Sequence, residues 1–566
     1  MTDVSTAILD TIHKAGARHV FGVPGDAING LVDATRRHES VDFVTVRHEE
    51  AGAFAASAQA KLTGRLGVAV GTAGPGAIHL LNGLYDAKLD SAPVLAVTGQ
   101  VGSGELGTSA QQEIDLLRLF DDVAVFNVAI VNPEQVPTVV RNAVREAMTN
   151  RAVAHLSIPE DMALAEVSID SDTSLIPRSG THKPDPDELA RAGEVIDSGN
   201  AVTFLVGIGA RESMDAVLLL AERTLAPIIK SLRAKEQLQD GHHLATGGLG
   251  LLGSTASVKA IERSDVLVMI GTDFPYRDFY PDGRARVVQI DIEASHIGRR
   301  TPVDVGVVGD AGHVVRALHD TVGQSTSSDH LDRAREDTRE WNAEMAEAEN
   351  DDVTPIRPQR LAASVGRHTR PGAIYICDTG AVTAWCARHL AMKEGDRFTL
   401  SSSLASMAYG LPGAIGAQLA YPESQVVALV GDGGFSMLLG DLLTAVSLNL
   451  PITVVVFNNQ KLGLIQVEQE AEGLPEHAID LFDPDYAAVG RAMGAEGRRV
   501  SKPDNLDAAL SQAIGSDRPS VVDVVIDPEE ITVPPEIEPS YFFGYAKAKI
   551  RELVGTGEGL AGVRSA

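Results

Sequence analysis

The sequence predicts an α/β protein built from three doubly wound parallel-sheet domains. Three blocks of the chain each alternate apolar, strand-like segments with helix-period segments, which is the pattern of parallel sheets. The chain is 44% hydrophobic but only 4% aromatic, as expected for buried strands rich in Val, Ile, Leu and Ala. Polar segments at 168–188 and 323–358 separate the blocks. We therefore expect domains at residues 1–168, 187–323 and 356–535, followed by a tail at 536–566.

Composition excludes several classes of protein. The net charge of −29 argues against a nucleic-acid partner, because phosphate contacts need basic patches. No apolar run approaches the roughly 18 residues that a membrane span requires, and the amino terminus carries no targeting signal. The two cysteines, Cys377 and Cys386, indicate neither a disulfide framework nor a metal site. We expect a cytoplasmic protein.

In the first block, a short apolar stretch at Val41–Val46 leads into RHEEAGAFAASAQAKLTG. Alanine and long side chains predict a helix at Glu49–Leu62. A lone glutamate near a helix N-terminus, such as Glu49, is usually a solvated partner of the helix dipole. The segment GTAGPGAIHLLNGLYDAKLDSAPVLAVTGQ follows at Gly71–Gln100, and its resemblance, given below, favours a functional role for Glu49 instead.

The middle block predicts strands at Val266–Ile270 and Val287–Ile290. The second ends at Asp291, and a carboxylate at a strand end suits the ribose of an adenosine. Gly248–Gly253 matches the pattern GxGxxG. We expect no strand before it, so we do not interpret it as a nicotinamide fingerprint. A vestigial domain that binds nothing is the alternative for this block.

The third block contains two apolar strands that end in polar residues. Val426–Val430 runs into Gly431-Asp432-Gly433, a helix-period segment spans Met437–Leu448, and Ile452–Phe457 runs into Asn458-Asn459. Ligands of open α/β sheets bind at the carboxyl ends of the strands. Carboxylate and amide oxygens suit Mg²⁺, and glycines let backbone amides approach phosphates. The pattern therefore predicts a metal–diphosphate site.

These motifs resemble those of the thiamine-diphosphate enzymes. GDG and the later NN match the family's diphosphate-binding motif, and Gly71–Gln100 is similar to its pyrimidine-domain segment. The resemblance implies a pyrimidine-binding, a central and a diphosphate-binding domain, in that order. It also implies that Glu49 hydrogen-bonds the aminopyrimidine ring and so helps the thiazolium carbon to lose its proton. The neighbouring Glu50 is the less favoured residue for this role.

The middle block resembles the FAD-binding segments of bacterial pyruvate oxidases, especially the quinone-linked pyruvate dehydrogenase. The similarity rests on GTDFPYRDFYP and IDIEASHIG and extends over nearly the whole chain. It implies a central FAD-binding domain with contacts at Leu249, Gly250, Leu251, Leu252, Thr272, Asp273, Phe274, Pro275, Tyr276 and Asp291.

In the third block, SSSLASMAYGLPGAIGAQ resembles the family's cofactor loop. Met407, which would otherwise be interpreted as a core filler, would support the V-shaped cofactor there. The resemblance implies that Asp432, Asn459 and the carbonyl oxygen of Lys461 bind Mg²⁺. It places Gln112 and Glu468 with Glu49 as catalytic residues, and adds thiamine diphosphate contacts at Ala405, Ser406, Met407, Asp432, Gly433, Gly434, Asn459, Leu462, Gly463, Leu464 and Ile465.

The chain departs from the family at three points. Gln111 stands where related pyruvate enzymes carry phenylalanine, which leaves the 2-oxo acid open. Ala405 stands where the nearest relatives have glycine. No His-His pair occurs between Gly102 and Glu113, where simple 2-oxo-acid decarboxylases usually have one, and this disfavours that activity.

The resemblance implies oxidative decarboxylation of pyruvate or a similar 2-oxo acid through a thiamine ylid. Two electrons would pass to FAD and then to quinone or oxygen, giving acetate or acetyl phosphate. Two alternatives are an acetolactate-synthase-like carboligase and a cofactor-binding protein without catalysis. In the family the carboxylates equivalent to Glu49 and Asp432 meet across a subunit interface, so we expect a homodimer or homotetramer. Tyr541–Val554 is predicted to be a packing helix with weak or no membrane association, because glycines follow it.

Overall fold

The computed structural model describes residues 2–168 and 182–530. Within them the backbone forms three six-stranded parallel sheets and one short antiparallel pair. Apolar clusters cover both faces of each six-stranded sheet, so all three units are doubly wound. The predicted fold class is confirmed. The predicted tail helix, Tyr541–Val554, lies outside the described residues.

The first unit contains a sheet of strand order β3-β2-β4-β5-β7-β6, and β1 pairs with β8 beside it. The predicted helix after Val46 is confirmed and begins at Glu49. The strands of the first unit are β1 Thr2–Asp3, β2 His19–Gly22, β3 Asp42–Thr45, β4 Gly67–Gly71, β5 Val94–Gln100, β6 Ala124–Ala129, β7 Val153–Pro159 and β8 Glu166–Val167. Its helices are α1 Val4–Lys14, α2 Asn29–Arg37, α3 Glu49–Thr63, α4 Pro75–His79, α5 Leu81–Leu89, α6 Leu116–Leu119, α7 Val136–Asn150 and α8 Glu160–Ala163.

The middle unit has the strand order β11-β10-β9-β12-β13-β14. Its strands are β9 Val202–Val206, β10 Ile228–Lys230, β11 Ala245–Gly248, β12 Val266–Ile270, β13 Arg286–Asp291 and β14 Val305–Val308. Its helices are α9 Pro186–Asp197, α10 Met214–Thr224, α11 Thr255–Arg263 and α12 Ala311–Thr321. The expectation that no strand precedes the GxGxxG segment was wrong, because β11 ends at Gly248. This strand is short and carries no large apolar side chain, so its sequence gives no strand pattern.

The third unit has the strand order β16-β15-β17-β18-β20-β19. Its strands are β15 Ile374–Cys377, β16 Arg397–Leu400, β17 Val426–Gly431, β18 Ile452–Asn458, β19 Glu496–Val500 and β20 Ser520–Val525. The polar helix α13 Asp329–Glu349 leads into the unit, whose helices are α14 Pro358–His368, α15 Ala381–His389, α16 Gly410–Ala420, α17 Asp432–Met437, α18 Leu442–Ser447, α19 Gly463–Ala471, α20 Tyr486–Ala492 and α21 Leu506–Ile514.

The single helix expected at Met437–Leu448 is wrong. Helix α17 already ends at Met437, a 3₁₀ turn spans Leu439–Asp441, and α18 follows. The buried Asp441 side chain accepts a hydrogen bond from the Arg47 backbone N–H at 2.8 Å and one from the Thr444 hydroxyl at 2.9 Å. The helix is therefore interrupted where it meets the first unit, a contact that local periodicity does not encode.

The first and third units share one apolar cluster. Helix α3 packs against α16 within it, and Gly416 makes this approach possible. A Cβ at Gly416 would lie 2.2 Å from the Ala55 carbonyl oxygen. The shared cluster fixes the position of α3, and with it Glu49 and Glu50, relative to the third sheet. No helix in the described ranges is both long enough and apolar enough to cross a membrane.

Candidate active site

Three oxygen atoms converge after strands β17 and β18. The side-chain atom of Asn459 that faces this cluster lies 3.2 Å from Asp432 Oδ1 and 2.9 Å from the carbonyl oxygen of Lys461. As an amide nitrogen this atom would donate to both oxygens. As the amide oxygen it completes a set of three oxygens, which is the kind of ligand set that hard cations bind. The predicted metal residues are thus brought together.

The buried and incompletely hydrogen-bonded carboxyl group of Asp432 supports a cation here. Its side chain is buried, and its Oδ2 atom has no hydrogen-bond partner. Burial raises the pKa of Asp432 to about 7, because a charged carboxylate is costly in a low-dielectric site. A buried, incompletely satisfied carboxylate needs a compensating group, and a divalent cation supplies one. The residues therefore fit Mg²⁺ held by Asp432, Asn459 and Lys461.

The glycines after Asp432 are packed tightly against other parts of the site. A Cβ at Gly433 would lie 3.2 Å from the terminal methyl of Met407. A Cβ at Gly434 would lie 2.2 Å from Asp378 Oδ2. Met407 therefore lies directly against the predicted diphosphate motif, and Asp378 lies behind it.

Met407 belongs to a strained loop between β16 and α16. Ala405 and Ala408 both have left-handed backbones, with φ of 56° and 71°. Such conformations cost an alanine about 1–2 kcal/mol relative to right-handed ones. The predicted contacts Ala405 and Ser406 lie in this loop. Ala405 stands where the nearest relatives have glycine, and its backbone conformation is one that favours glycine.

Glu49 is buried at the start of α3. Its Oε2 lies 3.0 Å from His79 Nδ1, and the His79 ring stacks on His48 with centroids 4.4 Å apart. A Cβ at Gly76 would lie 3.0 Å from Glu49 Oε1. All these partners belong to the first unit. Within the described chain, the surroundings of Glu49 are therefore separate from the Asp432 cluster.

Glu50 faces the other way, toward the Met407 loop. Its Oε1 accepts a hydrogen bond of 2.6 Å from Asn82, which also donates to Ser406 Oγ at 3.0 Å. These three residues line a cavity of about 410 Å³ together with Met407, Met437 and Leu438. Within one chain, Glu50 rather than Glu49 therefore shares a cavity with Met407.

The remaining predicted contacts of the third unit lie along α19. Leu462 packs over Gly433, where an added Cβ would lie 3.1 Å from its side chain. Gly463, Leu464 and Ile465 form the first turn of the helix, and Glu468 is exposed one turn later. Gln112 is exposed in the first unit with a left-handed backbone, φ 68°, beside Gly74. Among the described residues, Gln112 and Glu468 form no hydrogen bond or ion pair with Asp432, Asn459 or Lys461.

The two predicted FAD segments of the middle unit contact each other. A Cβ at Gly250 would lie 2.9 Å from the Phe274 ring and 3.3 Å from the Tyr276 ring. Phe274 is buried with Leu249 and Thr272, whereas Leu251 and Tyr276 are 39% and 46% exposed. Leu252 lines a cavity that Arg388 of the third unit also reaches. The segments therefore meet at the boundary between the middle and third units.

The polar residues of the middle site follow adjacent strands. Asp291 ends β13, is buried, and accepts a hydrogen bond from the Glu293 N–H at 2.9 Å. Asp273 follows β12 and pairs with Arg299 and Arg300. Pro275 is exposed in the same loop. The carboxyl ends of the adjacent strands β12 and β13 are therefore polar.

Glycine backbones pack closely against each other at the switch point of this sheet, between β9 and β12. A Cβ at Gly207 would lie 2.4 Å from the Gly271 carbonyl oxygen, and one at Gly209 would lie 2.8 Å from Gly271 Cα. Open α/β sheets bind dinucleotides at such a switch point. Asp291, these glycines and Leu249 are therefore residues that would hold an FAD.

Sequence reasoning missed Asp378, His79 and the Gly207–Gly271 contact. Asp378 was detectable, because it directly follows the apolar strand IYIC just as Asp432 follows β17. Its side chain is fully buried, with Oδ2 unpartnered, and burial raises its pKa to about 7. The contacts of His79 and of the glycines join segments that are distant in sequence, so no local signal reveals them.

The chain matches three family descriptions in order along its length. Residues 2–119 match "Thiamine pyrophosphate enzyme, N-terminal TPP binding domain", residues 189–318 match the central domain, and residues 378–524 match the C-terminal TPP binding domain. Each match falls on one of the three parallel sheets. Pyrophosphate and diphosphate are two names for the same cofactor group.

Individual relatives match over nearly the full chain. "Putative thiamine pyrophosphate-containing protein YdaP" of Bacillus subtilis (strain 168) is 40% identical over 97% of this chain and 95% of its own length. "Pyruvate oxidase" of Lactiplantibacillus plantarum is 32% identical over 92% and 88%. "Probable acetolactate synthase large subunit" of Methanococcus aeolicus is 30% identical over 94% and 93%. The chain belongs to the thiamine pyrophosphate enzyme family, with the N-terminal, central and C-terminal domains of that family.

Proposed function

We propose that this protein catalyses the oxidative decarboxylation of pyruvate or a similar 2-oxo acid, using thiamine diphosphate, Mg²⁺ and FAD. Electrons then pass from FAD to a quinone or to oxygen. The observation that carries the proposal is the convergence of the Asp432, Asn459 and Lys461 oxygens, with Met407 against the neighbouring Gly433. This arrangement suits a metal-bound diphosphate with an apolar side chain beside the motif.

When bound, thiamine diphosphate supplies the carbanion chemistry that breaks the bond to the carboxyl group. The chain contributes binding and proton control. Asp432 and Asn459 hold the metal, Met407 supports the bent cofactor, and Glu49 holds a proton at the aminopyrimidine ring. Glu468 and Gln112, both accessible, are proposed to contact the substrate.

We infer that Glu49 acts on a cofactor held by a second subunit. The contacts of Glu49 lie within the first unit, whereas Met407 shares its cavity with Glu50 of the same chain. Large apolar side chains are exposed on the segments around the metal residues: Met437 at 62%, Ile465 at 41% and Phe482 at 87%. Surfaces of this kind suit contact with a second copy.

FAD binding is supported by the middle unit. The Gly207–Gly271 contact, the buried Asp291 and the contact between Gly250 and Phe274 all lie at or just after the carboxyl ends of the strands. The Leu249–Leu252 loop contacts Arg388 of the third unit, whose guanidinium donates to the Leu251 carbonyl oxygen at 3.0 Å.

A second candidate is an acetolactate-synthase-like carboligase. One observation favours it: the relative with that name is 30% identical, close to the 32% of the pyruvate oxidase. The two candidates differ in whether the flavin is reduced during turnover. They share the metal site.

Cofactor content tests the proposal. The purified protein should be yellow and should bind thiamine diphosphate only when a divalent cation is present, because the metal links the diphosphate to the chain. Chelation should release thiamine diphosphate, while the flavin stays bound. Isothermal titration with and without Mg²⁺, together with the flavin absorption spectrum, measures both.

Asp432→Asn is the matched variant for the metal site. It keeps the shape of the side chain but removes the charge, so metal-dependent thiamine diphosphate binding should be lost while flavin content stays as in the wild type. A wild-type protein that is colourless and refuses added FAD would rule out the oxidase. A protein that binds thiamine diphosphate equally well without metal would rule out the Asp432 site.

A further inference from the structure

A buried charged cluster joins all three units at a distance from the metal residues. Lys61 of α3 donates to Asp86 Oδ1 and Oδ2 at 2.9 and 2.8 Å, and its Nζ lies 2.7 Å from Asp90 Oδ2. It also donates to the Leu400 carbonyl oxygen of the third unit at 3.0 Å. We name Lys61, Asp86 and Asp90 the junction cluster. All three side chains are at most 6% exposed.

Asp90 connects the junction cluster to the loop that carries Met407. Its two carboxylate oxygens accept hydrogen bonds of 3.0 Å from the backbone N–H groups of Ser402 and Ser403. These residues lie at the start of the strained loop that contains Ala405, Met407 and Ala408. One first-unit carboxylate therefore fixes the beginning of a third-unit loop.

Asp378 fixes the other end of the same loop. Its Oδ1 accepts a hydrogen bond of 3.2 Å from the Tyr409 N–H, and its Oδ2 faces Gly434 of the diphosphate motif. The loop is thus attached to a buried carboxylate at each end, with Met407 between the two attachments. A left-handed backbone at Ala405 and Ala408 persists only when the surroundings impose it, and the two carboxylates provide that constraint.

The middle unit contacts the same cluster through two arginines. Arg233 donates to the Asp90 carbonyl oxygen at 2.6 Å, and its guanidinium lies 3.8 Å from Asp90 Oδ1. Arg211 donates to the Lys61 carbonyl oxygen at 3.0 Å. Arg211 lies in the 3₁₀ turn Ile208–Ser213, directly after Gly207 at the switch point of the middle sheet. The middle unit therefore contacts both Lys61 and Asp90.

Electrostatics keeps Lys61 and Asp90 charged, whereas burial raises the pKa of Asp86. Burial alone would lower the pKa of Lys61, but the Asp86 and Asp90 carboxylates outweigh burial and raise it above that of a free lysine. Burial alone would raise the pKa of Asp90, but Lys61 and Arg233 outweigh burial and hold it below the usual range. Asp90 is consequently an ionised acceptor for Ser402 and Ser403, and hydrogen bonds to an ionised acceptor are the stronger kind.

We propose that Asp90 is a positioning residue for the Met407 loop, and that Arg233 of the middle unit helps to set its orientation, so that the junction cluster controls how tightly the third unit holds thiamine diphosphate. The inference rests on the proposed function, because it assumes that Met407 supports this cofactor. It assigns no catalytic contact to Asp90, which acts only through Ser402 and Ser403.

The test measures thiamine diphosphate affinity. The full-length protein is freed of thiamine diphosphate by chelation and titrated calorimetrically with the cofactor in excess Mg²⁺. Asp90→Asn should raise the Kd by at least about tenfold, the scale of losing one charge-assisted hydrogen bond. Arg233→Met should raise the Kd severalfold, and the charge-conserving Arg233→Lys should stay within about twofold of wild type.

Asp122→Asn is the matched control. Asp122 is an exposed carboxylate that accepts from Tyr85 and Lys88 of α5, the helix that also carries Asp86. Within the part of the chain that the structure describes, it forms no hydrogen bond or ion pair with the junction cluster. Its Kd should equal that of the wild type. Flavin content and circular dichroism, measured on every variant, report folding independently of the thiamine site.

The inference is overturned if folded Asp90→Asn and Arg233→Met proteins bind thiamine diphosphate as tightly as the wild type. If Asp90→Asn does not fold, Arg233→Met decides alone, because its side chain is 25% exposed at the rim of the cluster. Equal weakening by Arg233→Met and Arg233→Lys would also count against the charge-dependent role. A wild-type protein that binds no thiamine diphosphate would instead overturn the proposed function itself.

Discussion

Two adjacent glutamates have different surroundings although their chemistry is the same. Glu49 is buried beside His79, whereas Glu50 reaches Asn82 and through it Ser406. Their positions at the start of α3 make the two side chains point to different sides of the helix. The two carboxyl groups thus have separate environments, and mutating each one tests whether their functions differ.

Glu49→Gln is expected to keep the fold and the flavin but to lose at least about a hundredfold in kcat, the usual scale for removing a proton-transfer group. Glu50→Gln should be much milder, because a glutamine oxygen still accepts from Asn82. Steady-state rates with pyruvate at saturating cofactor measure both. Small and equal losses at the two positions would show that Glu49 is not the proton-transfer group.

Two glycines of the diphosphate motif differ in how tightly the surrounding atoms pack against them. A Cβ at Gly434 would lie 2.2 Å from the buried Asp378 Oδ2, whereas a Cβ at Gly431 would meet nothing within 4 Å. Gly434→Ala should therefore lower the free energy of unfolding by about 1–3 kcal/mol, as overpacking does, and Gly431→Ala should leave it nearly unchanged. Denaturant unfolding of protein without thiamine diphosphate or metal measures both. Two equally stable variants would contradict the packing of Asp378 against Gly434.

At the scale of elements, the strands and helices that carry strong patterns agree with expectation. The strands β12, β13, β17 and β18 and the helix at Glu49 were predicted within a residue or two, because long apolar runs and alanine-rich periodicity are local signals. The short strand β11, with the sequence ATGG, gives no such signal. The break in the helix at Leu439–Asp441 depends on Arg47, which is almost 400 residues away.

The same limit applies to the candidate site. Asp432 and Asn459 were predicted because each directly follows an apolar strand. Asp90 and Lys61 were not identified from the sequence. The cluster that they form is linked to the Ser402 and Ser403 amides and to Arg233, which belong to other units. Motifs at strand ends are visible in sequence, whereas contacts between units require the folded chain.

Strand β7 contains a buried histidine that makes the first unit sensitive to acid. His155 lies between the Thr98 hydroxyl and the Asn127 side chain, each at 2.7 Å, and stacks on Phe120. Burial lowers its pKa to about 3. Below about pH 6.5 the unfolded chain binds a proton at this ring that the folded chain excludes, so stability is lost as the pH falls from about 6.5 toward 3.

His155→Gln should therefore unfold at a temperature that falls less steeply with acidity than that of the wild type. The difference should grow between pH 7 and pH 5, by at most about 1.4 kcal/mol per pH unit in free energy. Calorimetric scans of both proteins across this range measure it. Parallel curves would show that His155 does not lose its proton on folding.

At the scale of the whole molecule, one chain does not assemble a complete site in its described residues. The metal residues and Met407 lie together in the third unit, while Glu49 has its contacts in the first. The active enzyme is therefore expected to be a homodimer or homotetramer. Light scattering combined with activity on the same fractions tests this, and a fully active monomer would contradict it.

In the proposed function, electrons from a 2-oxo acid reach a flavin in this protein. The most direct measurement is anaerobic mixing of the thiamine diphosphate- and Mg²⁺-loaded protein with pyruvate while the flavin absorption band is recorded. We predict that the band bleaches within the first turnover, that Glu49→Gln slows the bleaching by at least about a hundredfold, and that adding oxygen or a soluble quinone restores the band. A flavin that stays oxidised while pyruvate is consumed to a coupled product would contradict the oxidase and favour the carboligase.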